Sequence, residues 1–322
     1  MSWESKICWE LAQQRASVIR SIREFFYSRN IVEVETPLLS HGTVTDVYLD
    51  SFSCQYDFAS RSSSKDLFLQ TSPEFAMKRL LASGYQSIYQ ICKAFRHESH
   101  GRFHNPEFSI LEWYRIDFDH FQLVDELADL LSLTLKCGEA ERMTYQQVFL
   151  KYLKVDPLTC TNALLKETLS DHKVLGDWID TEQDKDVLLQ VLFSECIENQ
   201  LGSDVPCFIY NYPASQSALA KLSTDDPRVA ERFECYYKGV ELANGFNELT
   251  DPREQISRFE TDNAKRHSLG KKDKPLDRLF LAALEHGLPA CAGVAVGIDR
   301  LLMLALDKPD IASTMTFNIT NA

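Results

Sequence analysis

Seven charged residues stand out by type and spacing: Glu98, Glu112, Glu234, Glu241 and Glu248, with Arg96 and Arg300. Alternate residues of a strand share a face, and most of these positions fall in apolar or aromatic runs that read as strands. Arg96 and Glu98 share one face of SIYQICKAFRHE, and Phe108, Ile110, Glu112 and Tyr114 share one face of EFSILEWYR. In a later run Asn244, Phe246 and Glu248 lie together. Glu234 and Glu241 are seven apart, so a regular strand opposes them; a bulge, or the tight turn that Lys238 and Gly239 offer, brings them together. Unpaired buried carboxylates are costly, so a face this acidic needs cations: a metal ion, an ammonium ligand or arginines.

Singly, each feature has a plainer explanation. Glu74 in the first turn of a helix stabilises the helix dipole by about 0.3 to 1 kcal/mol with no ligand. Arg96 with Glu98, or Asp299 with Arg300, could be surface ion pairs, which contribute little. Small residues such as GVAVG often serve packing, and Tyr114 and Phe246 could be core aromatics. What outweighs these explanations is the occurrence of all the motifs together and in order.

The hydrophobic pattern outlines the elements that must position these residues. Leu11, Val18, Ile19, Ile22, Phe25 and Phe26 recur at helical spacing, and Ser28, Arg29 and Asn30 supply a stop. That helix feeds IVEVETPLL, where Ile31, Val32 and Val34 predict a strand that Pro37 ends or confines to an edge. Thr71 and Ser72 precede Pro73 and Glu74, which predicts an N-cap with proline in the first helical position; Gly84 closes that helix. SIYQICKAFRHE, HGRFHNP and EFSILEWYR predict a long antiparallel hairpin. Residues 120–200 alternate helical patterns with loops and read as scaffold. Strands return at CFIYNYP and RFECYYKGVELANGFNEL, and CAGVAVGIDRLLMLAL predicts a strand turning into a helix at Asp299, with Arg300 in its first turn.

With 322 residues, 44% hydrophobic and 11% aromatic, the chain can bury a sizeable core, which excludes disorder, collagen and small disulfide scaffolds. The formal net charge of −13 has the wrong sign for a protein that coats nucleic acid. Nine scattered cysteines, never spaced C-x-x-C, indicate neither a zinc ribbon nor a disulfide framework. MSWESKICWELAQQR lacks a signal peptide's apolar run, and 123–135 is interrupted by Asp125, Glu126 and Asp129, which predicts an amphipathic helix. A cytoplasmic protein with no membrane partner is expected.

The order of motifs resembles that of class II aminoacyl-tRNA synthetases. The helix and IVEVETPLL resemble motif 1, FRHESHGRFHNPEFSILEWY motif 2, and GVAVGIDRLLML motif 3. TSPEFAMKRLL and GVELANGFNEL are similar to the lysyl branch, so the likeness runs from about residue 10 to the C-terminus. It implies an α+β fold with a central antiparallel sheet flanked by helices, in a single catalytic domain over 1–322, and through motif 1 a homodimer. Lysyl-tRNA synthetases carry an anticodon-binding barrel before motif 1, which here begins almost at the first residue; no barrel and no tRNA partner are expected. A free-standing domain of this kind is similar to paralogues that activate (R)-β-lysine and transfer it to a lysine side chain of elongation factor P. Two alternatives are a truncated lysyl-tRNA synthetase that charges tRNA and a non-catalytic regulator, the latter disfavoured because Arg96, Glu98, Glu234, Glu241 and Arg300 are all present.

The resemblance also implies roles. ATP is the co-substrate, with Arg96 bridging the substrate carboxylate and the α-phosphate, and Arg300 holding the γ-phosphate, as the two catalytic residues. His97, Glu98 and Asn105 line the adenine site, Phe108 stacks on the ring, and Glu241, Leu242 and Gly297 complete the ATP-binding set. Glu234 and Glu241 match ligands of Mg²⁺, hard oxygen donors suited to an ion that bridges phosphates. Ser72, Pro73, Glu74, Glu112, Tyr114, Asn244, Phe246, Glu248 and Ala295 fall on the amino-acid pocket. Two ammonium groups on lysine or (R)-β-lysine would explain its acids: Glu74 for the backbone-side amine, Glu112 and Glu248 with Tyr114 for the terminal one. Motif 3 reads GVAVGIDR where lysyl synthetases read GLGIGIDR, so Ala295 adds a methyl group expected to tilt selection towards β-lysine. The loop 42–47, GTVTDV, departs from the lysyl pattern, and His41, His97, His100 and His104 are the nearby candidate bases for transfer. Lys265, Arg266, His267, Lys271, Lys272 and Lys274 form either a solvated face or a docking patch for an acidic partner.

Overall fold

The structure, a computed structural model, describes residues 3–58 and 66–322. The chain divides into two compact units: residues up to 117 with 250–291 and 295–322, and residues 118–249 with 292–294.

In the first unit, α1 (Trp9–Ser28) buries Ile22, Phe25 and Phe26 and stops where Asn30 turns left-handed. The chain then forms β1 (Val32–Glu33), β2 (Leu39–Ser40), β3 (Ser53–Gln55) and β4 (Asp66–Leu69), the last three making a small antiparallel sheet in the order β2-β4-β3. Helix α2 (Glu74–Ala82) starts one residue later than the capping signal suggests: Pro73 is itself the N-cap, and the Ser72 hydroxyl accepts from the Glu74 N–H at 3.0 Å. The hairpin of β5 (Ile88–Phe95) and β6 (Glu107–Ile116) pairs Ala94 with Phe108, Gln90 with Glu112 and Ile88 with Tyr114. It is shorter than expected. Arg96, His97 and Glu98 lie beyond β5, because the Arg96 N–H closes on Pro106 O while the His97 N–H turns aside to Asp50 O at 2.8 Å. Strand parity therefore does not place Arg96 and Glu98.

The second unit opens with α3 (His120–Leu135), capped reciprocally by Asp119 and Gln122 and amphipathic as predicted, with Leu123, Val124, Leu127, Leu130 and Leu131 buried. There follow β7 (Glu141–Thr144), α4 (Tyr145–Leu153), α5 (Asn162–Asp171), α6 (Asp177–Thr181) and α7 (Lys185–Leu192), whose apolar faces share one core with Phe193 and Tyr236. Its strands β8 (Cys207–Pro213), β9 (Val229–Tyr237) and β10 (Val240–Asn247) stand in the order β10-β9-β8-β7.

The chain returns to the first unit as α8 (Pro252–Ser268), α9 (Arg278–Gly287), β11 (Cys291–Gly297), whose residues 292–294 count with the second unit, and α10 (Ile298–Ala305). Strands β1, β5, β6 and β11 follow in that order. Each unit is thus a sheet with helices, and the pairing is mixed: β1 is parallel to β5 and β7 to β8, the rest of the assigned pairs antiparallel. Asp299 ties motif 3 down, with Oδ2 accepting from the Ser109 N–H at 2.6 Å and Oδ1 from Arg15 at 3.3 Å.

Candidate active site

In the first unit the β5–β6 face carries Phe108, Ile110, Glu112 and Tyr114 opposite Ala94, Cys92, Gln90 and Ile88. The Arg96 guanidinium lies over the Phe108 ring, 5.0 Å from its centroid, and its buried Nε has no hydrogen-bond partner among the described residues. The ring assigned to adenine stacking is thus covered on one side by a cation, a favourable contact in itself. Glu112 is fully buried; Oε2 accepts from the Tyr114 hydroxyl at 3.0 Å, while Oε1 has no partner at hydrogen-bonding geometry among the described residues. Burial first and the nearby Glu74 second push its pKa up to about 8, against the lowering effects of Ser72, Tyr114 and Lys78. Glu74 itself receives the Lys78 ammonium at 2.6 Å, and Lys78 is buried over the face of Phe280. Lys78 was missed by the sequence reading, although Glu74 and Lys78 stand at the i, i+4 spacing of a helical ion pair.

The motif 2 turn meets motif 3 within the same unit. Arg300 donates from Nε to Phe103 O at 3.1 Å, and its Nη2 lies 2.9 Å from His104 Nε2. Burial, Arg300 and Arg96 hold the His104 pKa below its ordinary value, with Glu98 opposing, so this imidazole accepts from Arg300 in its neutral form. Asn105 is locked: it donates to Glu107 O at 2.6 Å and accepts from the Ile319 N–H at 3.0 Å. His97 meets Phe52 edge to face at 5.0 Å, and Glu98 is exposed. Ala295 and Gly297 are the half-buried alternate positions of β11 between buried Val294, Val296 and Ile298, which puts both on its open face.

In the second unit the Glu234–Glu241 question is resolved by the tight turn, and a bulge after Glu241 adds Asn244 to the same face. Lys238 and Gly239 adopt positive φ in a two-residue hairpin turn, and the register shifts between Glu241 and Ala243. Glu241 then pairs with Tyr236 and Asn244 with Glu234, which brings these side chains to one face with Arg232 and Phe246. Leu242, at the bulge, is buried. A second irregularity at Asn211 puts Tyr212 on that face too. Glu234 is consequently crowded with donors: Tyr212, Tyr236 and Arg232 all reach its carboxylate. Burial raises its pKa, Arg232 lowers it, and Glu241 raises it further. Arg232 also donates to Asn244 Oδ1 at 3.2 Å and to Gln216 O at 2.8 Å. The sequence reading singled out neither Arg232 nor the two tyrosines, although all three lie on the Glu234 face. Glu248 is buried past the end of β10 and bridges to Ala220.

The basic stretch divides: Arg266 is buried, Lys271 and Lys274 point at Asp50, and Lys265 is half-buried with its ammonium over the Tyr48 ring, whereas His267 and Lys272 are exposed. Among the described residues no helix is long and apolar enough to cross a membrane.

The fold class and the ordered motifs agree with the comparisons. The family model described as tRNA synthetases class II (D, K and N) matches residues 3–321, so the chain belongs to that family. Within it, the chain is 54% identical over 316 residues to the elongation factor P--(R)-beta-lysine ligase of Vibrio parahaemolyticus serotype O3:K6 (strain RIMD 2210633), covering 98% of each. It is 54% identical over 310 residues to the ligase of that name from Vibrio cholerae serotype O1 (strain ATCC 39315 / El Tor Inaba N16961), covering 96% of this chain and 95% of the relative. Against that of Pseudoalteromonas translucida (strain TAC 125) it is 50% identical over 320 residues, covering 99% and 98%.

Proposed function

We propose that this protein is an ATP-dependent ligase that activates (R)-β-lysine as an adenylate, releasing pyrophosphate, and then transfers it to a lysine side chain of elongation factor P. One observation carries the reading: a single face of the β5–β6 hairpin ends in a buried guanidinium Nε with no partner among the described residues and in a buried carboxyl oxygen with none. Phe108, beneath Arg96, and Glu112 are four residues apart on that face, about 13 Å at strand rise. A donor for a carboxylate at one end and an acceptor for an ammonium at the other fit lysine or β-lysine. The names of relatives aligned over nearly their full length support β-lysine and elongation factor P as the specific pair.

Activation is in-line attack of the amino-acid carboxylate on the α-phosphorus of ATP. It needs no base, so catalysis rests on alignment and charge neutralisation. Arg96, as a planar fork, holds the carboxylate against the α-phosphate, and Arg300 holds the γ-phosphate. The Arg300–His104 contact keeps that guanidinium next to the motif 2 turn. Glu74, fixed by Lys78, and Glu112 receive the amines.

Among the described residues no three His, Cys, Asp or Glu side chains form a metal cage. Mg²⁺ is usually held by one or two carboxylates plus substrate phosphates, which Glu241 and Glu234 on one face fit. Glu241 would be the first ligand, since Glu234 must exchange a donor to serve. When bound, the ion would offset phosphate charge.

We further propose a homodimer through the motif 1 stretch, where Trp9, Tyr27, Val32, Leu38 and Leu39 are exposed. The test is one incubation with ATP, Mg²⁺ and labelled (R)-β-lysine in the presence of elongation factor P and total tRNA. Label on elongation factor P alone is expected; label on tRNA refutes the acceptor assignment. Arg300→Ala should lose ATP–pyrophosphate exchange, and retention would sink the motif 3 assignment.

A further inference from the structure

One buried cation outside the proposed site is Arg266 on α8, only 2% exposed. Its guanidinium makes four hydrogen-bond contacts, all with protein oxygens: Nη1 donates to Asp46 O at 2.8 Å and Val47 O at 3.3 Å, Nη2 to Asp50 Oδ1 at 2.8 Å, and Nε to Lys272 O at 3.0 Å. Lys271 adds a bond to Val47 O at 2.7 Å, and Lys274 lies 3.2 Å from Asp50 Oδ1. One turn earlier on α8, Asp262 accepts from Thr45 at 2.6 Å. The loop 45–50 is therefore fastened to α8 at both of its ends. Its last carbonyl, Asp50 O, accepts from the His97 N–H at 2.8 Å, in the turn that leaves β5 between Arg96 and Glu98.

We propose that Arg266 is a positioning residue for the nucleotide: through the 45–50 loop and the Asp50 carbonyl it fixes His97 and, next to it, Glu98, the adenine-site side of the 96–98 turn, while Arg96 is held separately by its N–H on Pro106 O and by the Phe108 ring. The inference rests on the reading that Arg96, His97 and Glu98 hold ATP. The chain of contacts is rigid at each link: a bidentate-capable fork, a carboxylate shared by three cations, and a backbone hydrogen bond. Asp50 accordingly has its pKa held below the ordinary carboxylate value, chiefly by the bond from Arg266. Among the described residues no other bond to the His97 N–H is made, so a loosened loop leaves that donor without its acceptor. A lysine at 266 would keep the charge and lose the fork.

The test is ATP–pyrophosphate exchange and amide hydrogen exchange on Arg266→Lys and Asp50→Asn, beside Arg96→Ala. We expect KM for ATP to rise five- to twentyfold in the first two with KM for the amino acid within twofold, and faster amide exchange in 96–98. Asp50, whose side chain is 36% exposed, tolerates substitution and decides the question if the Arg266 variant does not fold. An unchanged KM for ATP, or a parallel rise of both KM values, overturns the proposal. Full exchange activity in Arg96→Ala overturns instead the ATP-site reading beneath it.

Discussion

Glu112 should make amino-acid binding release a proton, and the structure sets the size of the effect. In the free protein its pKa is raised to about 8 by burial, with Glu74 adding to it. The substrate ammonium needs the carboxylate, and stays charged itself to about pH 10. At pH 7 only about one Glu112 in eleven is ionised, so KM for the amino acid should stand about elevenfold above its high-pH plateau, worth about 1.4 kcal/mol. Log KM should fall by one unit per pH unit below 8 and flatten above about 9. Pyrophosphate exchange at saturating ATP, from pH 6.5 to 9.5, measures this directly. Glu112→Gln should abolish the slope and raise KM at pH 9 by about a hundredfold, near the lower end of the cost of removing one partner of a buried charge pair. A flat wild-type profile, or a slope that survives in the glutamine variant, refutes the reasoning. The sign carries over to stability. Because the folded pKa lies above the unfolded carboxyl value, the contribution of Glu112 is full at acidic pH and is lost at about 1.4 kcal/mol per unit as pH rises towards 8. Free protein should therefore lose stability across that window, and bound amino acid should restore it.

Asp299→Ala strands the buried Ser109 N–H and releases Arg15; a loss of about 2 to 3 kcal/mol is expected in urea unfolding, and a loss under 0.5 kcal/mol would show the bond to be replaceable. Gly245 has no room for a methyl group, since a Cβ there would lie 2.6 Å from Phe233 Cε1 and 2.9 Å from Val294 Cβ. Gly245→Ala should cost about 2 kcal/mol or more, with Phe233→Leu partly rescuing it in a double-mutant cycle. Ala295→Gly should move the preference from (R)-β-lysine towards α-lysine by tenfold or more, consistent with about 1 to 3 kcal/mol per methyl group; an unchanged ratio of kcat/KM values would release Ala295 from that role.

Local signals read well from the chain. The 9–28 helix, the hairpin around HGRFHNP, the strand-to-helix change at motif 3 and the Lys238–Gly239 turn all follow from periodicity and turn chemistry. Face assignments held inside strands and failed at their ends. Parity put Arg96 beside Glu98, but the strand stops at Phe95 and the His97 N–H bonds to Asp50 O, a partner that nothing in the order of residues indicates. The same limit hid the tyrosines on Glu234 and the burial of Arg266. A run of lysines and arginines looks alike in sequence whether solvated or folded inward, and the difference lies in acceptors more than two hundred residues away, such as Asp46 O and Asp50.

The sequence by itself determined the class of chemistry, because the motifs that name it are contiguous and their residue types are dictated by phosphate, carboxylate and ammonium. Only the tertiary structure decided the ionisation of those groups and their freedom to move. Glu112 is an ordinary glutamate until burial and Glu74 raise its pKa, and Glu234 is a candidate ligand until two tyrosines and an arginine surround it. Desolvation and long-range hydrogen bonding act through space, so these properties belong to the fold and not to the order of residues along the chain.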